Sequence, residues 1–142
     1  MSETVHDTLD VQREAIIPRT FSRPFWEATR QKKLVLQFDP RSGKYQFFPR
    51  PNSLFDGRRG LEWREVSGKG EIFTYTIARR GPPAFRGKEP YLIATVTLEE
   101  GVNIIANVVH CGLDEIKIGM KVRPFWAPLA NGTHLLMFEP AR

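Results

Sequence analysis

Two short turns, each ending in a glycine, carry the residues whose types and spacing come nearest to a chemical site. The first turn places Asp39 and Ser42 three residues apart, and the second places Ser53 and Asp56 at the same spacing. In a zinc ribbon these four positions are two Cys-x-x-Cys pairs, whose thiolates hold a tetrahedral zinc ion. The only cysteine of the chain, Cys111, lies far outside this segment. The pattern therefore predicts a ribbon-type lobe without its metal ligands, and we expect no tight zinc binding, since hard oxygens replace soft thiolates.

Without a metal, turn chemistry and apolar packing must hold this lobe together. The segment 39–43, Asp-Pro-Arg-Ser-Gly, is a strong turn sequence, because Asp bonds the backbone ahead, Pro fixes φ and Gly accepts the exit geometry. We expect Phe38 and Phe55 to be buried as part of the packing. Two carboxylates and two hydroxyls match no dedicated calcium or magnesium loop. Solvated turn residues are therefore a better interpretation than a hard-cation site.

The remaining nucleophiles and bases do not form a recognisable catalytic set. His6 lies near the N-terminus, His134 follows a turn, and His110 is adjacent to Cys111. Neighbours on a strand point to opposite faces, so His110 and Cys111 do not make a simple nucleophile–base pair. No metalloprotease, serine hydrolase or dinucleotide fingerprint is present in the sequence. We therefore expect no intrinsic enzyme activity.

Positive charge is concentrated in one part of the chain. The whole chain carries +5, whereas residues 21–64 alone contain ten basic and four acidic residues, a net charge of +6. Such a basic segment attracts phosphates, nucleic acid or an acidic protein face. No apolar run approaches the ~20 residues of a membrane span. With one cysteine and no signal-peptide pattern, we expect a cytoplasmic protein.

The element pattern predicts a mainly β chain in three parts. Residues 1–20 form a polar arm that we expect to be disordered alone or ordered by a partner. Residues 21–65 form a helix from Arg23 to Lys32 and the degenerate, rubredoxin-like zinc-ribbon lobe. Residues 66–142 form a five-stranded OB-fold barrel, since segments in which apolar and polar residues alternate are separated there by glycine-rich bends. The expected barrel strands are Glu71–Arg80, Tyr91–Leu98, Val102–Val109, Lys121–Leu129 and Leu135–Glu139. In the first of these strands, Phe73, Tyr75 and Ile77 are expected to share one face.

Several segments in this order resemble a known family, the zinc-ribbon plus OB-fold, acyl-CoA-associated proteins (domain of unknown function 35). The segments are PFWEATRQKKLVLQ, FPRP, LEWREVSGKGEIFTYT, EPYLIATVTLEEGV and IGMKV, and the resemblance as a whole runs over roughly 21–140. The family usually has four ribbon cysteines, so the departure concerns zinc rather than the fold. The resemblance implies a non-catalytic accessory subunit that pairs with a thiolase-like, aldolase-like or hotdog-fold hydratase subunit. It also implies a coenzyme A thioester as ligand, with no cofactor bound tightly.

Two groups of residues follow as candidates for these roles. Phe25 and Trp26, on the predicted helix, are candidate partner anchors because large aromatic side chains dominate interface energies. The phosphates of coenzyme A need cations, and the loop that links the first two barrel strands supplies several. The acyl-CoA candidates are Arg50, Arg79, Arg80, Phe85, Arg86, Lys88 and Tyr91.

The alternative function comes from a different class of protein. An OB-fold that binds single-stranded nucleic acid needs a basic groove with aromatic stacking platforms. Phe73, Tyr75 and Tyr91 are the aromatic residues available for such a groove. However, residues 65–142 carry nine basic and eight acidic residues, so the barrel half is close to neutral. Nucleic-acid binding is therefore the less favoured interpretation.

Overall fold

The computed structural model describes residues 5–14 and 16–142. A 3₁₀ turn, Thr20–Ser22, leads into α1 (Arg23–Thr29), the one α-helix among these residues. The helix ends three residues before the predicted Lys32, because Lys32 adopts a left-handed φ of 57° and turns the chain into the first strand. None of the described residues belongs to a helix that is both long and apolar enough to cross a bilayer.

Eight strands follow the helix and form two sheets. The strands are β1 (Leu34–Asp39), β2 (Lys44–Gln46), β3 (Glu62–Val66), β4 (Gly70–Ala78), β5 (Tyr91–Leu98), β6 (Asn103–Val108), β7 (Lys121–Pro128) and β8 (His134–Pro140). The first three strands make an antiparallel sheet in the order β2-β1-β3. The other five close into a barrel in the order β4-β5-β6-β8-β7. The predicted OB-fold class is confirmed.

Strand β5 shows why this part of the chain forms a barrel wall. Leu92, Ala94, Val96 and Leu98 alternate along it and are all buried, as expected for a strand with one face toward a core. Strands β4 and β6 pair with it in antiparallel register on either side. The ring is completed by the parallel contact of β6 with β8, which brings Val108 opposite Phe138.

The expectation that Phe73 shares a face with Tyr75 and Ile77 of β4 is wrong for Phe73. The pairing of β4 with β5 slips between Ile72 and Thr74, which leaves Phe73 as the extra residue of a bulge. Ile72 consequently takes the core position with 1% exposure, while Phe73 is 55% exposed. Tyr75 is 36% exposed although it lies opposite the buried Ala94. A bulge adds one residue to one strand and so shifts the alternation that the sequence pattern assumes.

One hydrophobic core joins the helix, the small sheet and the barrel. Phe25 of α1 and Leu36 of β1 belong to the same buried cluster as Ile72, Val96 and Phe138 of the barrel. The bend between the two sheets is tightly packed: a Cβ on Gly68, whose φ is +72°, would lie 2.5 Å from a side-chain carbon of Pro124. The small sheet is therefore fixed against the barrel by packing as well as by its chain connection.

The arm contacts the barrel where the structure describes it. The His6 amide donates to the carbonyl of Pro90 (2.8 Å), and Asp7 accepts from the backbone N–H of His110 (3.0 Å). Thr8 and Val11 are buried. Residues 5–13 thus lie against the barrel of their own chain. Residues 1–4 and 15 of the predicted arm lie outside the described residues.

Candidate partner and coenzyme surfaces

The two glycine-ended turns of the small sheet close in the same way. The Gly43 amide donates to the carbonyl of Asp39 (2.8 Å), and the Gly57 amide donates to the carbonyl of Ser53 (3.0 Å). The side chains of the turns also meet, because the Ser53 hydroxyl donates to Oδ2 of the fully buried Asp39 (2.7 Å). This hydrogen bond is the main reason that the pKa of Asp39 lies below its usual value. The turns are therefore joined directly, by a serine and a carboxylate.

Arg41 makes a second link between the turns. Its Nε lies 2.6 Å from Oδ2 of Asp56 and 3.7 Å from Oδ1 of Asp39. The hydrogen bond from Arg41 is the largest cause of the low pKa of Asp56, about 2. Ser42 bonds only the backbone N–H of Lys44 (3.3 Å) among the described residues. Two of the four expected positions, Asp39 and Asp56, thus lie beside a guanidinium, and Ser53 bonds Asp39. Residues 5–14 and 16–142 hold no His, Cys, Asp and Glu cluster suited to a metal.

A loop at the tip of the small sheet, residues 47–60, is held by two buried glutamines. We call it the ribbon loop. The side chain of Gln37 both accepts from the amide of Arg50 (2.8 Å) and donates to its carbonyl (2.6 Å). Gln46 donates to Gln37 (3.0 Å) and accepts from the amide of Leu54 (2.8 Å). A buried side-chain amide that satisfies backbone groups in this way fixes the loop conformation.

The ribbon loop presents apolar side chains to solvent. Phe48, Leu54 and Phe55 are 61%, 51% and 44% exposed. The expected burial of Phe55 is therefore wrong. Phe38 is half-buried, and its ring is covered by the guanidinium of Arg64 at 3.7 Å. The turn hydrogen bonds described above hold this part of the lobe, which leaves Phe55 free of a packing role.

An apolar groove of about 440 Å³ lies where the helix, the ribbon loop and the barrel meet. Both predicted partner anchors line it, but in different ways. Phe25 is only 6% exposed and packs against Trp26 (5.1 Å between ring centroids) and Phe47 (5.9 Å). Trp26 is half-buried. The other lining residues are Ile16, Ser22, Phe47, Phe48, Pro49, Ile104, Ile105, Leu135 and Leu136.

The predicted coenzyme residues fall into two places. Arg50 belongs to the ribbon loop, whereas the others lie in or beside the loop 79–90 that connects β4 to β5. Within that loop, the Glu89 carboxylate accepts from the amides of Gly81 (3.0 Å) and Gly87 (2.9 Å). The Phe85 and Tyr91 rings pack at 4.8 Å. The loop is therefore well ordered, with Glu89 as its internal anion.

Accessibility separates the residues of this loop. Arg79, Arg80 and Arg86 are exposed. Lys88 forms an ion pair with Asp10 of the arm (2.7 Å). Tyr91 is 5% exposed, which leaves little of its surface for a ligand.

Two arm residues that the sequence analysis missed lie on this loop. The Lys88 hydrogen bond is the main cause of the lowered pKa of Asp10. The guanidinium of Arg13 lies 5.6 Å from the centre of the Phe85 ring. The acidic character of the arm and the basic character of the loop were the one available signal for this contact. Charge alone does not determine which residue of the arm lies beside which residue of the loop.

A second cleft, of about 480 Å³, lies among strands β4, β5 and β7. It is lined by charged side chains, and the main ones are already paired. Lys121 bonds Glu71 (2.8 Å), and Arg123 bonds Glu139 (3.0 Å). Exposed ion pairs of this kind contribute little to recognition or stability. The cleft is therefore a weaker candidate than the apolar groove.

Cys111 and His110 do not form a catalytic pair in the structure. No hydrogen bond joins their side chains, both of which are described: His110 Nδ1 lies 2.8 Å from Glu139, and the thiol contacts the carbonyl of Gly112 at 3.6 Å. Burial raises the pKa of Cys111 to about 11, so the thiol is neutral at physiological pH. His134 contacts the C-terminal end of the helix, where its ring Nδ1 lies 2.7 Å from the carbonyl oxygen of Thr29. These residues have structural contacts and no evident chemistry.

Comparison with known proteins identifies relatives that match most of this chain. Residues 63–127 match the family described as the C-terminal OB-fold domain of ChsH2. A DUF35 domain-containing scaffold protein of Pyrococcus furiosus is 36% identical over 105 residues, which cover 74% of this chain and 76% of that protein. A probable enoyl-CoA hydratase alpha subunit of Thermomonospora curvata is 34% identical over 119 residues. That match covers 82% of this chain but only 37% of the hydratase subunit.

A solved structure is similar to this chain in both sequence and fold. A chain of the Ltp2-ChsH2(DUF35) aldolase superposes with a TM-score of 0.77 at 31% identity. The match covers 92% of this chain and 100% of that chain. The likeness therefore extends over the small sheet and the helix as well as the barrel.

Proposed function

Because the chain belongs to the DUF35 family, we propose that it is an accessory subunit of an acyl-CoA-processing complex. Its partner is a catalytic subunit of the aldolase-like, thiolase-like or hydratase class. The relatives carry names of this kind, a scaffold protein, a hydratase alpha subunit and an aldolase complex. The observation that carries the proposal is the apolar groove at the junction of helix, ribbon loop and barrel. An exposed apolar surface of this kind is typical of a binding site.

The catalytic subunit, rather than this chain, supplies the reactive groups. The buried Cys111 thiol is neutral, and the His110 ring is paired with Glu139. A nucleophile needs an adjacent base or a lowered pKa, and Cys111 has its pKa raised instead. The role of the chain is therefore to bind the partner and to help hold the coenzyme A thioester.

We propose that the small sheet corresponds to a zinc ribbon in which an arginine takes the place of the metal. Arg41 lies between the two turns and bonds Asp56, close to the buried Asp39. A zinc ion supplies a central positive charge to four thiolates, and a guanidinium supplies one to two carboxylates. We therefore expect the chain to bind no cofactor tightly and no zinc.

Coenzyme contacts are expected from the exposed arginines of the loop 79–90. Replacing both Arg80 and Arg86 with alanine should weaken binding of the acyl-CoA to the assembled complex by about 1–3 kcal/mol, because hydrogen bonds to phosphate are charge-assisted. Isothermal titration of the complex with its acyl-CoA measures the change. The exposed Lys117→Ala variant is the control for loss of positive charge elsewhere. Unchanged affinity in the double variant would assign the coenzyme to the catalytic subunit alone.

The proposal as a whole predicts a stable complex. When the chain is co-expressed with the acyl-CoA enzymes encoded beside it, we expect one of them to co-elute in size-exclusion chromatography at a fixed stoichiometry. Turnover by that enzyme should rise when this chain is added, whereas the isolated chain should turn over no acyl-CoA. A monomeric chain that never co-elutes with a candidate enzyme contradicts the accessory role. Retardation of single-stranded nucleic acid at moderate as well as low salt would favour the alternative function.

A further inference from the structure

The ribbon loop combines exposed apolar side chains with a fixed backbone. Phe48, Leu54 and Phe55 are exposed, and Gln37 and Gln46 hold the loop from within. In addition, the Phe55 amide donates to the hydroxyl of Ser53 (3.0 Å). A surface that is already ordered loses little conformational entropy on binding. The loop is therefore prepared for a partner, at the cost of exposing apolar area in the free chain.

Unpaired positive charge surrounds these apolar side chains. Lys44, Arg50, Arg58 and Arg59 are exposed, and none of them forms an ion pair with a carboxylate in the described part of the chain. The nearby carboxylates have other partners. Asp39 and Asp56 lie at Arg41, and Glu62 bonds Arg64 (2.9 Å). Part of the net positive charge of residues 21–64 therefore lies on and beside the ribbon loop.

The tip is continuous with the apolar groove. Phe48 lines the groove together with Trp26 and Ile105, and it is itself 61% exposed. One face of its ring packs against Phe47 at 4.5 Å. Phe48 therefore belongs both to the ribbon loop and to the wall of the groove that the helix and the barrel complete.

From these observations we infer that the ribbon loop is a docking surface for the catalytic subunit, whose matching face is apolar at its centre and lined with carboxylates at its rim. This inference rests on the proposed function. Charge complementarity selects the acidic rim, because the four exposed cations form no ion pair with a carboxylate among the described residues. Lys44 lies over the Phe55 ring, 5.4 Å from its centre, so it adds positive charge directly beside the apolar side chains. Aliphatic Leu54 and Ile105 favour a protein over nucleic acid, whose bases stack on flat aromatic rings.

Charge reversal on the ribbon loop tests this inference. The double variant Arg58→Glu plus Arg59→Glu should raise the dissociation constant for the enzyme that co-elutes with the wild-type chain about tenfold or more. Phe48→Ala should do the same through lost apolar contact. The matched control is Lys69→Glu plus Lys117→Glu, which makes the same charge change on exposed barrel positions. It should leave the affinity within about twofold of wild type, since exposed charges outside the docking surface contribute little.

Three further measurements complete the experiment. Far-UV circular dichroism and the urea midpoint should be unchanged in all three variants, since the substituted side chains are exposed. Wild-type affinity should fall as salt rises, and this dependence should weaken in the Arg58, Arg59 variant. Changing the carboxylates of the partner's rim to lysine should restore binding to that variant.

The outcomes separate this inference from the proposed function. If the wild-type complex forms and activates the enzyme, yet the ribbon-loop variants bind normally, the docking surface is elsewhere and only this inference fails. If no enzyme binds the wild-type chain, the proposed function fails and the inference falls with it. If the same variants lose retardation of single-stranded nucleic acid but keep the affinity for the enzyme, the loop serves nucleic acid and the inference is overturned.

Discussion

Replacing Phe25 with alanine is expected to lower the free energy of unfolding of the whole chain by about 3–5 kcal/mol. Phe25 is 6% exposed and belongs to the core that joins the helix, the small sheet and the barrel. Its ring also supports Trp26 and Phe47, so its removal leaves a cavity beneath the groove. Urea unfolding followed by far-UV circular dichroism measures the change without relying on tryptophan fluorescence.

The adjacent residue is expected to show the opposite balance of effects. Trp26 is half-buried at the groove, so Trp26→Ala should reduce stability less than Phe25→Ala. It should weaken the complex with the catalytic subunit by about 2 kcal/mol or more, as for an aromatic residue at the centre of an interface. Ile118→Ala, an exposed apolar residue of the barrel connector that does not line the groove, is the control for both measurements. A Trp26→Ala protein with normal affinity would exclude the groove from the interface.

The barrel could be predicted from the sequence because its signals are local. In Tyr91–Leu98 the alternation of buried and half-buried residues follows the sequence pattern, and the predicted strand has the bounds that the structure gives. Alternation with period two requires only one strand and one apolar face. The confirmed OB-fold class follows from several such segments together with their turns.

The sequence analysis failed where one residue or one distant contact changes the pattern. The bulge at Phe73 removes this residue from the face expected for it, and nothing in the alternation marks it. Arg41 meets Asp56 across 15 residues, and Lys88 meets Asp10 across 78. Such pairs depend on the folded path of the chain and carry no periodic signal. For the same reason the arm could be predicted as polar, but its contacts with the barrel could not.

The candidate site shows the same division. The types of the coenzyme and partner residues could be selected by charge and aromaticity, and their roles stay predictions. Their accessibility could not be derived, since the burial of Tyr91 and the ion pair of Lys88 depend on packing by other segments. The ribbon loop was identified as a turn region, but its exposed Phe55 was assigned to the core. Burial of an aromatic residue is the common outcome, and the hydrogen bonds that make it unnecessary here are formed by Asp39 and Ser53.

The small sheet should become less stable in acid, and Arg41 should be the cause. Ionised Asp56 and Asp39 have pKa values below those of the unfolded chain, about 2 for Asp56. A lowered carboxyl pKa adds stability that is fully present above the unfolded value, about 4, and is lost as the pH falls toward 2. Arg41→Met removes the main cause for Asp56, so the difference in unfolding free energy between wild type and variant should be largest at neutral pH. That difference should shrink as the pH falls through this window. Lys121→Met, which breaks the exposed pair with Glu71, should cause a smaller change at neutral pH.

Elemental analysis of the wild-type protein after mild chelation should find no stoichiometric zinc. A pH-independent difference, or a zinc ion that survives chelation, would contradict the assignment of Arg41 as the central cation of this lobe.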